Sequence, residues 1–348
     1  MRKNLLMLAV ILLTAVMAHA ETGQTVTATL NHEGNVTIYT GGNGLRDALN
    51  AAVDGDAIVL SPGTFNAVDI KKVVTLRGAG ATTLSMPGDS IKPTEATYIT
   101  GYLSVNISST EGKLTIEGCE FNNTVTFIKA PAVDVFKSRF ADLTVYKNVA
   151  SISFTHCLIN KFGHDLNEHT TLVNTVAYFT YFNPFINALN SVLIGTYNIS
   201  SFREYSNAAG GGQLTNCILT FDKDPGSGSI YLSANCVAYN CVACLNSSYN
   251  RWSSFKDFFK YSYNGTNQVI NGVTLFNNED AVPVYPFYLT EEAQKTYLGN
   301  DGTQVGIHGG ALPIDPIPDN LLVTKCNIAP KTTPTGKLSI EIQVSTAK

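Results

Sequence analysis

The sequence predicts an all-β protein, a solenoid of short parallel strands, and three observations support this. Between Leu114 and Tyr178 one spacing of apolar residues recurs four times, at a period of nineteen residues. The repeated positions hold mainly β-branched, aromatic and Cys residues, which favour strands over helices. A fixed period of this length is typical of solenoids, in which each repeat buries its apolar side chains against the next.

Each repeat contains two short strands and a corner. Each of the four copies has two pairs of mainly apolar residues at equivalent positions: Leu114, Ile116, Cys119 and Phe121; Val133, Val135, Ser138 and Phe140; Ile152, Phe154, Cys157 and Ile159; Thr171, Val173, Val176 and Tyr178. The second pair begins three residues after the first pair ends. In a straight strand this odd step would point the second pair to the opposite side, so the chain must bend between the pairs. The predicted corners are Glu117-Gly118, Phe136-Lys137, Thr155-His156 and Asn174-Thr175. A leucine-rich repeat has a similar period, but its L-x-x-L-x-L-x-x-N pattern is absent.

The first twenty residues have the pattern of a secretory signal peptide. Arg2 and Lys3 precede an apolar run over 5–17, and Ala18-His19-Ala20 gives a small-residue cleavage site. A membrane anchor is the alternative, but the run is shorter than the ~20 residues that a span needs. We therefore expect a secreted monomer (periplasmic, cell-surface or extracellular) that starts near Glu21 and has no membrane span after cleavage.

The segments before the repeats predict a cap. Alternating apolar residues over 21–39 indicate a hairpin or edge strands, and Leu45, Leu49 and Val53 form one face of a helix over 44–54 that Gly55 ends. We expect a β-solenoid with this cap over 21–300 and a Pro- and Gly-rich segment with a closing strand over 301–348, whose Leu338, Ile340, Ile342 and Val344 pack on the solenoid.

Three motifs near the start resemble a known family. They are Ala-Leu-x-Ala-Ala from Ala48, Gly-Asp-x-Ile-x-Leu-x-Pro-Gly-x-Phe from Gly55, and Val-Thr-Leu-Arg-Gly from Val74. They look like the opening of secreted right-handed parallel β-helix proteins of the pectin-lyase-like superfamily, and the segment 301–310 is similar to the end of β-helix proteins secreted by Bacteroidetes. The resemblance implies a right-handed parallel β-helix whose helix caps the coil. It carries no catalytic motif.

Charge and composition limit the class of partner that the protein can bind. Without the first twenty residues the chain has 21 basic and 27 acidic residues, a net charge of −6, which argues against nucleic acid. Charged residues are 14% of the chain, against roughly a quarter in ordinary soluble domains. A surface rich in uncharged hydrogen-bonding groups suits polysaccharide, which we expect as the partner.

The seven Cys residues are expected to be mostly buried, reduced thiols. Cys119 and Cys157 lie two repeats apart, roughly 10 Å at ~4.8 Å per repeat, which is too far for a disulfide. Cys217 occupies a similar inward position. Cys236, Cys241 and Cys244 are close enough in sequence for a bridge or a metal, and that alternative stays open.

Outward positions of the repeats bring charged residues together. The register predicts one column of Thr115, Asp134, Ser153 and Leu172, and a second of Glu120, Arg139, Leu158 and Ala177. With Lys137 and His156 at neighbouring corners, we expect Asp134, Lys137, Arg139, His156 and Glu120 to cluster. Lyases of the resembling family remove a proton beside a uronate carboxylate with a basic residue, and Ca²⁺ or another cation neutralises that carboxylate. A solvated ladder of opposite charges is the alternative.

Asp222 and Asp224 are weaker candidates for a Ca²⁺ site or a glycosidase acid and base. Alternate carboxylates before Pro225-Gly226 also commonly cap a turn.

Past Tyr178 the register continues with insertions. The expected inward residues are Val192, Gly195 and Tyr197; Leu214, Cys217 and Leu219; Cys236; and Ile270, Val273 and Leu275. The longest insertion, 246–266, is aromatic. We expect Tyr249, Arg251 and Trp252, together with Glu120, to contact sugar, and Phe255, Phe258 and Phe259 to pack on the solenoid. The sequence thus leaves two functions open: a secreted polysaccharide-binding protein, or a lyase or glycoside hydrolase of an acidic glycan.

Overall fold

The structure is a computed structural model that describes most of the chain. The described residues are 25–81, 96–163, 169–179, 185–196, 211–222, 230–234, 236–245, 252–261, 266–272, 275–276, 287–314, 322–328 and 340–345. The predicted signal peptide lies outside them. Within these ranges, no helix is both long and apolar enough to cross a membrane.

Strands dominate the described part of the chain, which also contains three short helices. The strands are β1 Thr27–His32, β2 Asn35–Thr40, β3 Ala57–Leu60, β4 Gly63–Asn66, β5 Thr75–Arg77, β6 Thr97–Thr100, β7 Leu103–Asn106, β8 Leu114–Glu117, β9 Glu120–Ala130, β10 Val133–Phe136, β11 Arg139–Val149, β12 Ile152–Thr155, β13 Leu158–Phe162, β14 Thr170–Val173, β15 Val176–Phe179, β16 Asn187–Leu189, β17 Val192–Gly195, β18 Gln213–Thr215, β19 Ile218–Phe221, β20 Val237–Tyr239, β21 Val242–Leu245, β22 Gln268–Asn271, β23 Leu322–Ile328 and β24 Ile340–Ser345. The helices are α1 Gly44–Ala51, α2 Trp252–Phe255 and α3 Glu291–Thr296.

The strands form two long sheets, which confirms the predicted parallel β-helix. Sheet 1 has the order β2-β1-β3-β5-β8-β10-β12-β14-β16-β18-β20. Sheet 2 has the order β22-β21-β19-β17-β15-β13-β11-β9-β6-β4, and β7 also pairs with β9. Consecutive rungs pair in parallel, and only the opening hairpin β1–β2 and the β1–β3 pair are antiparallel in these sheets. The chain therefore alternates between two walls and buries its core between them.

The predicted register is correct for three copies and wrong by one residue in the fourth. Leu114, Val133 and Ile152 lie side by side, but Ile152 pairs with Thr170 and Phe154 with Leu172. Leu172 is therefore fully buried, and Thr171 takes the outward place beside Ser153. The reason is length, because Thr170 comes twelve positions after Leu158, whereas Ile152 comes thirteen positions after Arg139.

The later rungs follow the prediction only in part. Leu214, Cys217, Leu219 and Cys236 are in the core as expected. The fifth rung is shifted, since Val192 pairs with Val176 and faces outward while Leu193 enters the core. Tyr197 and Val273 lie outside the described residues. The register is lost here because rungs after Thr170 vary in length.

A single left-handed residue makes each corner between the sheets. The corner residues share a positive φ and are Gly118, Lys137, His156, Asn174, Asn190, Asn216 and Asn240, with φ between 43° and 63°. The predicted corners at Gly118, Lys137 and His156 are therefore confirmed, and the fourth turns at Asn174. Glycine and asparagine enter this conformation at the lowest cost, so the later corners carry asparagine.

A small side chain with a hydroxyl or thiol follows every one of these corners and is buried. These residues are Cys119, Ser138, Cys157, Thr175, Ser191, Cys217 and Cys241. Ser138 shows the reason: its hydroxyl donates to the carbonyl oxygen of Phe136 (2.8 Å) and accepts from the Cys119 N–H of the preceding rung (3.2 Å). Thr175 repeats both bonds with Val173 and Cys157. The column thus satisfies backbone groups that the corner leaves without partners.

Six thiols of the described chain are free and buried, as predicted. Burial raises the pKa of Cys119 and of Cys157 to about 12, since a thiolate would lose its hydration inside the core. Cys217 stacks on Cys241 rather than on Cys236, because the rungs there are twenty-four residues apart.

The N-terminal cap covers the first rung. The hairpin β1–β2 extends sheet 1, and α1 buries Leu45, Ala48 and Leu49 against the core. Val53 was predicted on this face but is 49% exposed, because α1 ends at Ala51 and the backbone is already extended at Ala52. Lys72 closes the helix C-terminus by donating to the carbonyl oxygens of Leu49, Asn50 and Ala52.

The C-terminal segment 287–314 covers the later rungs of sheet 2. Six of its residues form a second apolar cluster with the outward residues of the strands: Phe287, Leu289, Ala293, Val305, Ile307 and Ile314 on the segment, with Leu158, Val176, Val192, Ile218 and Val242 among the strand residues. The predicted division of the chain at residue 300 falls inside this segment. The outward residues of sheet 2 that belong to this cluster are therefore apolar and buried under the segment.

The far end of the solenoid is closed by the aromatic insertion. Phe255 and Phe258 are fully buried, and Phe255 packs edge-on against Phe221, with ring centroids 6.3 Å apart. Phe259 packs partly against the same core, so the predicted packing of the three Phe residues is confirmed. Ile340, Ile342 and Val344 of the predicted closing strand lie on β24, which pairs with β23 in a separate two-stranded antiparallel sheet. Leu338 lies outside the described residues, and the packing of this strand on the solenoid stays a prediction.

Ser138→Val should lower the free energy of unfolding by about 1–3 kcal/mol, because the buried Cys119 N–H loses its acceptor. Ser138→Thr should stay closer to the wild type, since Thr175 fills the equivalent place with both bonds. Urea denaturation of the two variants measures the difference. Equal destabilisation by Val and Thr would show that volume matters here and the hydroxyl does not.

The buried thiols should resist alkylation in the native protein. In a Cys326→Ser variant, which leaves the six buried cysteines as the only thiols, we expect no rapid labelling at mildly alkaline pH and six labelled thiols in urea. Mass spectrometry of the labelled protein gives the count. A reduced count in urea without reductant would reveal a disulfide and contradict the free thiols.

Candidate ligand-binding face

Asp134 lies where the register places it but is held by neighbours on both sides. It stands on the outer side of β10, in line with Thr115 and Ser153. Its carboxylate forms an ion pair with Lys113 (2.6 Å) and accepts from the Ser153 hydroxyl (2.7 Å). This is the ladder of opposite charges and hydroxyls that was the alternative to a catalytic base.

Glu120 and Arg139 stack on the outside of sheet 2. The Arg139 Nη1 lies 2.8 Å from Glu120 Oε1, and the Glu120 side chain is only 5% exposed. Arg139 is followed in the same column by Leu158 and Val176, not by Ala177 as predicted, and both are buried under the C-terminal cover. The ion pair therefore marks the place where the column changes from charged to apolar.

The corner residues separate these two groups. Lys137 is exposed at its corner, and the His156 Nε2 donates to the Leu312 carbonyl oxygen (2.7 Å). His156 thus attaches the C-terminal segment. The residues predicted to cluster are consequently divided among sheet 1, the corner row and sheet 2.

The remaining predicted residues are only partly described. Asp222 follows β19, and its backbone N–H donates to the Gly195 carbonyl oxygen. The pKa of the Tyr178 hydroxyl is raised, mainly because the hydroxyl is buried and secondly because of the Asp222 negative charge. Asp224, Tyr249 and Arg251 lie outside the described residues, as does the side chain of Trp252, which begins α2. Among the described residues, no three His, Cys, Asp or Glu side chains group as metal ligands.

A polar surface that the sequence analysis missed lies beside the N-terminal cap. The strands β9 and β11 are each eleven residues long and bend at register shifts, so their later halves form an additional face with β7. Two outward columns run along it: Asp69, Ser104, Thr126 and Thr144 in the first, and Lys71, Asn106, Lys129 and Asn148 in the second. We call these eight residues the polar face.

The first column of the polar face is a ladder of hydroxyl groups. The Ser104 hydroxyl donates to the Asp69 carboxylate (2.6 Å), and Thr126 and Thr144 follow in register. Beside them Asp142 is neutralised by Lys161, with 2.5 Å between the carboxylate oxygen and the ammonium nitrogen. Hydroxyls in register at about 4.8 Å per rung present repeated hydrogen-bonding groups to a ligand that lies along the solenoid.

The polar face borders a cleft of about 300 Å³ between α1 and the turn at 68–72. Its charged lining residues are Arg46, Asp69, Lys71 and Lys72, so positive groups outnumber negative ones. Tyr102, 78% exposed, precedes β7, and Tyr146 on β11 is 42% exposed. Exposed aromatic rings beside hydroxyl and amide groups are suited to stack on sugar rings.

The fold and the polar face define a class: a parallel β-helix protein with a flat, hydrophilic outer surface next to its capped end. Comparisons with protein-family models, with curated proteins and with solved structures found no match. The fold class is therefore what the structure establishes, and the function is argued from the surface.

Arg139→Met should lower the free energy of unfolding by about 3 kcal/mol, because it leaves the Glu120 carboxylate buried without its cation. Adding Glu120→Gln should recover most of the loss. Urea denaturation of the wild type, both single variants and the double variant gives the coupling free energy between Arg139 and Glu120. A pair that contacts substrate would behave differently, with unchanged stability and weakened glycan binding.

Proposed function

We propose that the protein binds polysaccharide along the polar face as a secreted, non-catalytic β-helix. The observation that carries this is the register of the two outward columns, which repeat hydroxyl, amide and ammonium groups at every rung. A polysaccharide repeats its own hydroxyls at a comparable interval, so one chain can form the same contact several times. Many modest hydrogen bonds then add to useful affinity.

The position of the polar face supports the proposal. It lies outside the rungs that the segment 287–314 covers, and it adjoins the cleft beside α1. A groove beside a flat sheet suits a linear ligand. The pattern of a signal peptide over 1–20 suits a protein that meets polysaccharide outside the cytoplasm.

Membership of the pectin-lyase-like superfamily, with its secreted Bacteroidetes relatives, is part of the same proposal. It rests on the three N-terminal motifs and on the parallel β-helix. Of the basic residues considered for the lyase alternative, Arg139 is bound to Glu120 and His156 to the C-terminal segment, while Lys137 is exposed at its corner. The acidic and basic candidates are divided between the two sheets and the corner row, so we favour binding without cleavage.

Tyr146→Ala and Thr126→Val should each weaken binding by about fivefold, roughly 1 kcal/mol, through loss of a stacking ring or of a hydroxyl. Affinity electrophoresis in gels that contain soluble polysaccharides, neutral and acidic, measures the retardation.

Thr115→Val is the matched control, because Thr115 has the same partial exposure on the outer side of sheet 1. Equal weakening by Thr115→Val, with unchanged melting temperatures, would place the binding surface elsewhere. Release of an unsaturated product that absorbs in the ultraviolet would instead establish a lyase.

A further inference from the structure

We infer that two copies of this chain associate through β2, the strand at the N-terminal edge of sheet 1, to form a two-fold dimer. The inference replaces the monomer expected from the sequence and is independent of the proposed function. It comes from a strand edge that exposes both backbone hydrogen-bonding groups and apolar side chains.

The strand β2 ends sheet 1 beside the N-terminal cap. It pairs with β1 on one side, and within the described part of the chain no strand lies on its other side. Five of its six residues are exposed and the sixth is half-buried. Val36 and Ile38, 46% and 53% exposed, lie on the outer side of the sheet, because the alternate residues of β2 pair with the core residues Ala28 and Leu30.

The hairpin turn determines which backbone groups of β2 are directed away from β1. The turn residues Glu33 and Gly34 both have positive φ (50° and 90°), as in a two-residue type I′ turn. The strand residues next to such a turn exchange hydrogen bonds, and so does every second pair after them. The N–H and C=O groups of the intervening residues, Val36, Ile38 and Thr40, therefore point to the open edge. Each of these residues offers a donor and an acceptor to another strand.

The sequence of β2 lacks the features that usually keep strand edges from pairing. Natural edge strands are protected by charged side chains, by Pro, by β-bulges or by a covering segment. The six residues of β2, NVTIYT, include no charged residue and no Pro, and their register with β1 has no bulge. An uncharged strand rich in β-branched residues favours pairing with another strand.

The open edge of β2 is complementary to itself. In an antiparallel pair with a two-fold axis at Ile38, the Ile38 residues of the two copies lie opposite each other. Val36 then lies opposite Thr40 of the other copy, so every residue with outward backbone groups meets another of the same kind. On the inner side, Tyr39 lies opposite Thr37 of the other copy, an aromatic and β-branched pair of the type that stabilises sheets.

Charge also favours a second copy as the occupant of this edge. Without its first twenty residues the chain has 21 basic and 27 acidic residues, a net charge of −6, so two copies repel each other in most orientations. At β2 this repulsion is weak because the strand itself is uncharged. The turn residue Glu33 is directed toward the start of α1 in the other copy, where Arg46 and Asp47 neutralise each other.

The geometry determines the size of the assembly. A two-fold contact uses the same surface on both copies, so association ends at the dimer and joins two copies of sheet 1 into one continuous sheet. One pair of six-residue strands buries less surface than the ~1,200–2,000 Å² of stable interfaces. We therefore expect a reversible dimer with a dissociation constant in the micromolar range.

Sedimentation velocity of the full chain, over concentrations from about 1 μM to about 300 μM, tests the association. We expect a monomer at the lowest concentration, a dimer at the highest and no larger species. A monomer at every concentration would overturn the inference, and so would larger species, which indicate a head-to-tail contact. If the protein stays monomeric, slow amide exchange at Ile38 would show that another segment of the same chain covers the edge, and fast exchange would leave the edge to a strand of a different protein.

Ile38→Lys should raise the dissociation constant of the dimer by at least about tenfold, because the two-fold axis places two ammonium groups side by side. Leu189→Lys is the matched control, since Leu189 is 41% exposed on the outer side of β16, which has strand neighbours on both sides. The control should change the constant by less than about twofold. Equal weakening by the two variants would attribute the effect to net charge and contradict the assignment of β2.

A cross-link tests the same contact without adding charge. In the Cys326→Ser background, Ile38→Cys should form a covalent dimer when oxidised glutathione is added, because the two Cα atoms of such a pair are about 5.5 Å apart, within disulfide range. Val36→Cys is the control, since the two Val36 positions are four residues apart in this register, about 13 Å. Equal yields of covalent dimer from the two variants, or no dimer from either, would overturn the two-fold pairing at Ile38.

Discussion

The structure depends on one turn conformation, a single left-handed residue between the two sheets of every repeated rung. A non-glycine residue in this region costs on the order of 1 kcal/mol or more, and six such corners carry Lys, His or Asn. The cost is offset because the next residue places a hydroxyl or thiol inside the core. Ser138 and Thr175 each bond to the carbonyl oxygen two residues back and to an N–H of the neighbouring rung. The corner and the column of small polar residues therefore stabilise each other.

The corners also decide which surfaces stay open. Asn174 donates to the carbonyl oxygens of Ile307 (2.9 Å) and Gly309 (2.8 Å), and Asn216 bonds to the side chain of Asn300. Asparagine thus serves twice, as a tolerant left-handed residue and as an attachment point for the segment 287–314. Earlier corners carry Gly118 and Lys137, which offer no amide. The cover consequently protects the apolar outer side of the later rungs and leaves the earlier rungs, with the polar face, exposed.

The sequence predicted the features that follow from the nineteen-residue period. It did not predict the features that depend on how rungs of unequal length pair with one another. Nineteen-residue spacing placed Ile116, Val135 and Phe154 in one buried column, and aromatic packing predicted Phe255 and Phe258. A rung one residue shorter moved Leu172 inside. The residues of the predicted charged cluster are divided, since Asp134 lies on sheet 1 and Arg139 on sheet 2. The polar face needed the bridge from Ile70 to Val105, across a rung of irregular length, although the alternation of Thr124, Val125, Thr126 and Phe127 was already a strand signal.

Charged side chains on this solenoid have two different physical roles. Eight of those in the described part of the chain form ion pairs between adjacent rungs: Arg77 with Glu117, Lys113 with Asp134, Arg139 with Glu120 and Lys161 with Asp142. Such pairs neutralise the like-charge repulsion that in-register stacking would otherwise impose. In the second column of the polar face an uncharged residue separates like charges by two rungs, which lowers their repulsion. Asn106 between Lys71 and Lys129 thus does in this column what an opposite charge does in the paired columns: it keeps like charges from stacking on adjacent rungs.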